Sequence, residues 1–189
     1  MRPTIPMAAW RIAVDLGAVR SLASHIPDPP CGRGCPMCRN WTAAVGGVLP
    51  PELQAQLVRL GIDPAAPSDL YGSGCAPGVY RYRITYHTAG RILSGPSSTF
   101  RSLRLGLQRH YHTLRETPWL GLSVAYEHLV HGTVEWRPMG GSSVVQVDFR
   151  LDVPWCLSEA GPADFIAPDA PSWRDTPWAR AHRRAVRRG

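Results

Sequence analysis

Three cysteines within eight residues carry most of the chemistry open to this chain: Cys31-Gly-Arg-Gly-Cys35-Pro-Met-Cys38. Thiolates are soft ligands, and three of them in a glycine-containing loop ahead of a helix can turn inward on one ion. Zinc and iron–sulfur clusters both accept such a set in tetrahedral geometry. Arg33, Arg39 and the start of the following helix would lower the thiol pKa values and favour the ligating form. A closed zinc site needs a fourth ligand. Cys75, in its own loop Gly72-Ser73-Gly74-Cys75, and His87 are the leading candidates, with His25 as a local one. Cys156 follows Trp155 at a strand end and reads as an inert core thiol. The plain alternative is three reduced cysteines that hold no metal.

The same C-x3-C-x2-C spacing is the signature of radical SAM enzymes, but its context here argues against them. That motif follows a first barrel strand and needs several βα units after it. Beyond Cys38 the chain is dominated by alternating antiparallel strands instead, and Met37 stands where an aromatic residue is usual. A different catalytic reading uses a low-pKa cysteine of the loop with His87, as an enzyme or redox protein. No G-x-S-x-G elbow, phosphate loop or dinucleotide fingerprint accompanies it.

Basic residues offer two weaker constellations. Arg81, Arg83 and His87 alternate along one strand and so point to one face, where they could hold a phosphate or carboxylate. The competing reading pairs the arginines with acids of a neighbouring strand, such as Asp148 or Asp152. The second constellation is the end of the chain. All 21 basic residues are arginine and the net charge is +7. Six arginines against Asp175 fall between Arg174 and Gly189, so that stretch carries +5 and the body is nearly balanced. Arg180, Arg183, Arg184, Arg187 and Arg188 could bind nucleic-acid phosphates without sequence preference, or simply keep the end soluble. The pairs His110/His112 and His128/His131 read as surface or core histidines, since no base of the HExxH kind accompanies them.

The missing lysine excludes Schiff-base chemistry, a phosphate-loop lysine and Lys-activated nucleophiles. With alanine, proline and glycine abundant, it fits GC-rich codon usage. The 189 residues suffice for one domain with a substantial core, and 44% hydrophobic residues argue against wholesale disorder. No apolar run is long enough to span a bilayer, and Arg11 and Asp15 interrupt the early apolar stretch. A cytoplasmic, membrane-free protein is expected, and an odd cysteine count there suits metal better than disulfides.

Several elements must hold these residues. Period-two alternation marks strands at Trp10–Leu16, Tyr80–His87, Leu120–Tyr126, Val134–Trp136 and Val145–Val153, the last stopped by Pro154. One wet and one dry face per strand is the mark of an antiparallel sheet. Trp41, Val45 and Val48 lie on one helical stripe; Pro51, Leu53, Leu57 and Leu60 start and fill another, with Gly61 as its C-terminal cap. Phe100, Leu103, Leu107, Tyr111 and Leu114 suggest a further helix over 98–115. The expectation is one α+β domain over residues 1–160. It comprises an antiparallel sheet, open or folded as a sandwich, two or three short helices and a cysteine-rich loop. A proline-rich segment and arginine-rich tail occupy 161–189.

The order of short motifs resembles a family of small uncharacterised bacterial proteins. Those motifs are Cys35-Pro-Met-Cys38-Arg39-Asn40-Trp41, Leu60-Gly-Ile-Asp-Pro64, Tyr86-His-Thr-Ala-Gly90, and Val144-Val-Gln-Val-Asp-Phe149 leading to Pro154-Trp155. The resemblance spans roughly residues 10 to 158, and Cys31 stands farther from Cys35 than it leads one to expect. It implies weight on Cys35, Cys38, Asn40 and His87 and brings no activity with it. The functional expectation is a small noncatalytic binding or adaptor protein with a structural zinc in the Cys31–Cys38 loop. Its partner would be a protein or small molecule.

Overall fold

A computed structural model describes residues 2–23, 31–76, 78–102, 106–111, 114–117, 120–126 and 143–162, without the side chains of 73–76 and 97–143. The described chain runs β1 (Thr4–Met7), β2 (Trp10–Val14), α1 (Leu16–Ala23), α2 (Pro36–Val48), α3 (Pro51–Arg59) and β3 (Asp69–Ala76). It continues through β4 (Val79–Ser94), β5 (Ser97–Ser102), β6 (Gly106–Tyr111), β7 (Leu114–Thr117), β8 (Leu120–Tyr126) and β9 (Ser143–Pro154). The strands form one antiparallel sheet in the order β1-β2-β4-β9-β8-β6-β5, with β3 paired to β4 and β7 to β8. The α+β expectation holds, with a single sheet and three helices among the described residues. Val134–Trp136 lies outside those residues.

β4 is the spine. One of its edges pairs with β9 without interruption from Val79↔Pro154 to Gly90↔Ser143. Its other edge is shared, first by β3 and then by β2. Because the register is unbroken, side-chain alternation is strict and each face can be assigned. Tyr80, Tyr82, Ile84 and Tyr86 share one face with Val145, Val147, Phe149, Leu151 and Val153 of β9, and all are buried. Trp41, Leu53, Leu57 and Leu60 of the helical layer belong to the same core. Each fully buried side chain of this size contributes about 1.5–3 kcal/mol.

α3 ends as its sequence requires. Gly61 has φ +74°, Ile62 N–H donates to Leu57 O at 3.0 Å, and Gly61 N–H donates to Val58 O at 2.9 Å. This is a Schellman cap with its accompanying apolar contact between Ile62 and Leu57, both buried. Pro64 then offers its carbonyl to Trp41 Nε1 at 3.0 Å and Tyr86 Oη at 2.5 Å, which pins the α3–β3 connection between helix and sheet.

Two expectations fail locally. Leu16 does not extend β2: Asp15 Oδ1 accepts from Ala18 N–H at 3.0 Å, caps α1, and turns the chain into a helix with Leu16 exposed. The described residues of 98–115 lie in strands, not in a helix. β5 and β6 form a hairpin from Ser97↔Tyr111 to Ser102↔Gly106, with β7 following on β8. Gly106 weakens a helix there, and the neighbouring β8 supplies a ladder partner that spacing within one segment cannot reveal.

Burial pushes the Tyr82 hydroxyl up to about 12, against the opposing donation from Asn40, and pushes Tyr86 in the same direction. An unfolded tyrosine ionises near about 10. Both groups are therefore neutral in the fold where the unfolded chain is already charged. Their stabilisation is complete below about pH 10 and is lost as pH rises towards 12, at about 1.4 kcal/mol per pH unit for each tyrosine. Alkaline titration followed by tyrosinate absorbance and circular dichroism checks this: the last two tyrosines should ionise only together with unfolding.

Candidate metal centre

The thiol loop is built by helix-start geometry. Cys35 is the N-cap of α2, with φ −68° and ψ 155°, Pro36 opens the first turn, and Cys38 is the third helical residue. N-cap and N3 side chains meet on one side of a helix start, the spacing a capping box uses, so C-x2-C brings two thiols together there. Upstream, Gly34 N–H donates to Cys31 O at 3.1 Å across a turn whose central residues, Gly32 and Arg33, have φ +57° and +61°. Gly32 takes this left-handed conformation freely and Arg33 with some strain. The reversal returns Cys31 to the other two thiols.

The three Sγ atoms lie within 4.8 Å of one another, and Cys31 Sγ is 3.5 Å from Cys38 Sγ. A tetrahedral zinc with Zn–S bonds of about 2.3 Å sets two sulfurs about 3.8 Å apart. A 4Fe–4S cluster places each thiolate on a different iron and a 2Fe–2S cluster no more than two on one iron, so either spreads three thiolates wider. The observed span suits one mononuclear ion. Cys38 is buried, Cys35 half-buried and Cys31 exposed. The slight burial of Cys31 acts upward, but hydrogen bonds from Cys38, Cys35 and the backbone of Arg33 and Cys35 hold its thiol below the ordinary value. Burial drives the Cys38 thiol the other way, reinforced by its interactions with Cys35 and Cys31.

A buried amide anchors the loop to the sheet. Asn40 is fully buried; its Nδ2 donates to Tyr82 Oη at 3.1 Å and Pro154 O at 3.0 Å, and its Oδ1 accepts from Cys156 N–H at 2.6 Å. Tyr82 Oη donates in turn to Met37 O at 3.2 Å. One side chain thus ties α2 to β4, to the end of β9 and to the segment after it. Arg39 adds an ion pair with Glu159. Tyr82 was legible in the sequence only as a core position; its hydroxyl's role depends on which helix lies above it.

His87 does not join the thiols. It follows Thr85 on the face of β4 opposite Tyr82 and Tyr86, the face that carries Asp148 and Gln146 of β9. The sheet separates it from α2, which removes it both as the fourth ligand and as the base of a cysteine nucleophile. Cys156 is exposed rather than a core thiol, and it lies outside the three-sulfur group. Cys75 belongs by its backbone to β3, and its side chain is not described. His25 lies outside the described residues, as do His112, His128, His131 and the arginines Arg180, Arg183, Arg184, Arg187 and Arg188; His110 is placed in β6 by its backbone alone.

The arginine row meets the acids of the next strand. Arg81 grips Asp152 through Nε and Nη2 at 2.7 and 2.8 Å, and Arg83 Nη2 reaches Asp148 at 3.3 Å. Asp148 is buried and also accepts from Thr85 Oγ1 at 2.7 Å and Gln146 Nε2 at 2.9 Å. The geometry is that of cross-strand ion pairing, not of an open anion cradle. The half-exposed Arg81–Asp152 pair contributes at most about 1 kcal/mol.

Comparison with known proteins adds no relative: no protein-family profile, curated protein or solved structure matches the chain. No helix among the described residues is long and apolar enough to cross a membrane.

Asn40→Ala removes the donor to Pro154 and the acceptor for Cys156 at once. It should destabilise the fold by about 2–3 kcal/mol, measured by urea unfolding. A change below about 0.5 kcal/mol, the size typical of inert surface sites, would show that the clamp carries no weight.

Proposed function

We propose that the Cys31–Cys38 loop is a structural zinc site in a small noncatalytic protein that binds a partner, in a reducing compartment such as the cytoplasm. The observation that carries this reading is the mutual approach of three Sγ atoms to within 4.8 Å, at a spacing suited to one tetrahedral ion. Thiolate ligands would be supplied by Cys31, Cys35 and Cys38. Cys35 and Cys38 stand at the N-cap and the third position of α2, where their side chains meet. The separation of His87 from the thiols speaks against cysteine catalysis with that residue.

Zinc here would join the turn at Cys31 to the start of α2, ordering a loop that has little apolar area of its own to bury. Metal affinity would then be part of folding free energy. Freshly purified, reduced full-length protein should carry one zinc per chain by elemental analysis, and its thiols at 31, 35 and 38 should resist iodoacetamide until a chelator is added. Cys35→Ser and Cys38→Ser should each lower zinc retention at least tenfold. A reduced sample with no bound metal, no uptake of added zinc and fully reactive thiols would overturn the reading.

A further inference from the structure

We infer that the site is gated by oxidation: joining Cys31 to Cys38 as a disulfide releases the metal, a step that rests on the zinc reading above. The two sulfurs are already in contact, with Cys31 Sγ 3.5 Å from Cys38 Sγ. Bonded sulfurs stand about 2.0 Å apart, so a further approach of about 1.5 Å makes the bond.

The three thiols differ in what holds them. Cys38 is buried in the first turn of α2, where its carbonyl accepts from Thr42 Oγ1 at 3.1 Å. Two residues on, Asn40 clamps the helix to the sheet, so Cys38 is the fixed member of the pair. Cys35 is half-buried and packs against the apolar core, and drawing it into a disulfide would give up that contact. Cys31 is exposed and stands on a turn closed by Gly34 N–H, which donates to Cys31 O at 3.1 Å. A β-carbon on Gly32 would meet nothing within 4 Å, so the turn has open space beside it in which to shift. Cys31 is therefore both the sulfur that a dissolved oxidant meets first and the one that can move.

Hydrogen peroxide is the oxidant. The Cys31 sulfur attacks one peroxide oxygen, the O–O bond breaks, and the departing hydroxide takes a proton and leaves as water. Cys31 is then a sulfenic acid. The Cys38 sulfur attacks it, the S–S bond forms as the S–O bond breaks, and a second hydroxide leaves as water. The two sulfurs together lose two electrons and the peroxide gains them. Cys35 alone of the three ligands remains, one thiolate where structural zinc takes four donors, so the ion departs. Ligation slows the first attack, as it slows alkylation. The disulfide cannot take the ion back, however, so each oxidised chain stays metal-free until a dithiol reduces it.

Treatment of the zinc-loaded, full-length wild type with a small molar excess of hydrogen peroxide tests the gate. A chromogenic indicator should record the loss of one zinc per chain. Peptide mass mapping should find Cys31 bonded to Cys38, with Cys35 newly open to iodoacetamide. Dithiothreitol with added zinc should restore the metal-bound form. The reduced, metal-free chain should give the same disulfide under peroxide, and none of these measurements depends on a variant folding. Zinc retained under peroxide, a Cys35–Cys38 bond instead, or release accompanied only by sulfinic acid would overturn the gate and leave the zinc site standing. A chain that never binds zinc yet pairs Cys31 with Cys38 would instead overturn the zinc reading, and the release step with it.

Discussion

The unbroken ladder between β4 and β9 is the constraint on which the rest of the molecule depends. A continuous antiparallel register permits no change of face, so each residue of β4 is committed to one side of the sheet. The aromatic and aliphatic set from Tyr80 to Tyr86 must then receive the helices, while Arg81, Arg83, Thr85 and His87 must meet the polar residues of β9. The thiol loop inherits its position from this division. It rests on α2, and α2 can dock only where the sheet is apolar.

Docking by apolar contact alone would leave α2 free to slide along a fairly uniform surface. The fully buried amide of Asn40 removes that freedom. Its three hydrogen bonds reach Tyr82, Pro154 and Cys156, groups whose spacing is set by the β4–β9 ladder. A buried polar group stranded by a shift of one helical turn would cost more than the shift could recover. Tyr82 passes the same constraint to Met37, which with Pro36 separates Cys35 from Cys38. The second face obeys the same logic, with Asp148 collecting Thr85, Gln146 and Arg83 around one buried carboxylate.

Much of this was legible in the residues because it is local. Pro51 at the start of α3 and Gly61 past its end describe a helix bounded by its own backbone needs, and the Schellman bonds form at that glycine. The alternation of Val145 to Val153 marks a strand, and Pro154 stops it. Two errors share a cause. Leu16 continues an alternating pattern and 98–115 carries a helical one, yet the first yields to the cap at Asp15 and the second to pairing across a hairpin. Short patterns fit more than one period, and the choice is made by partners distant in sequence.

The sequence by itself determined that Cys35 and Cys38 converge. An N-cap cysteine, a proline opening the first turn and a cysteine at its third residue meet wherever the helix is placed, because helix geometry alone brings N-cap and N3 side chains together. It also determined the sheet class and the boundaries of α3. Only the tertiary structure decided which of the remaining polar residues could share that site. His87 and Cys75 were equal candidates in the sequence. The β4–β9 register turns His87 to the far face. The same register handed Arg81 and Arg83 to Asp152 and Asp148. Which face a strand residue occupies relative to a helix is a property of pairing between distant segments, and no spacing within one segment contains it.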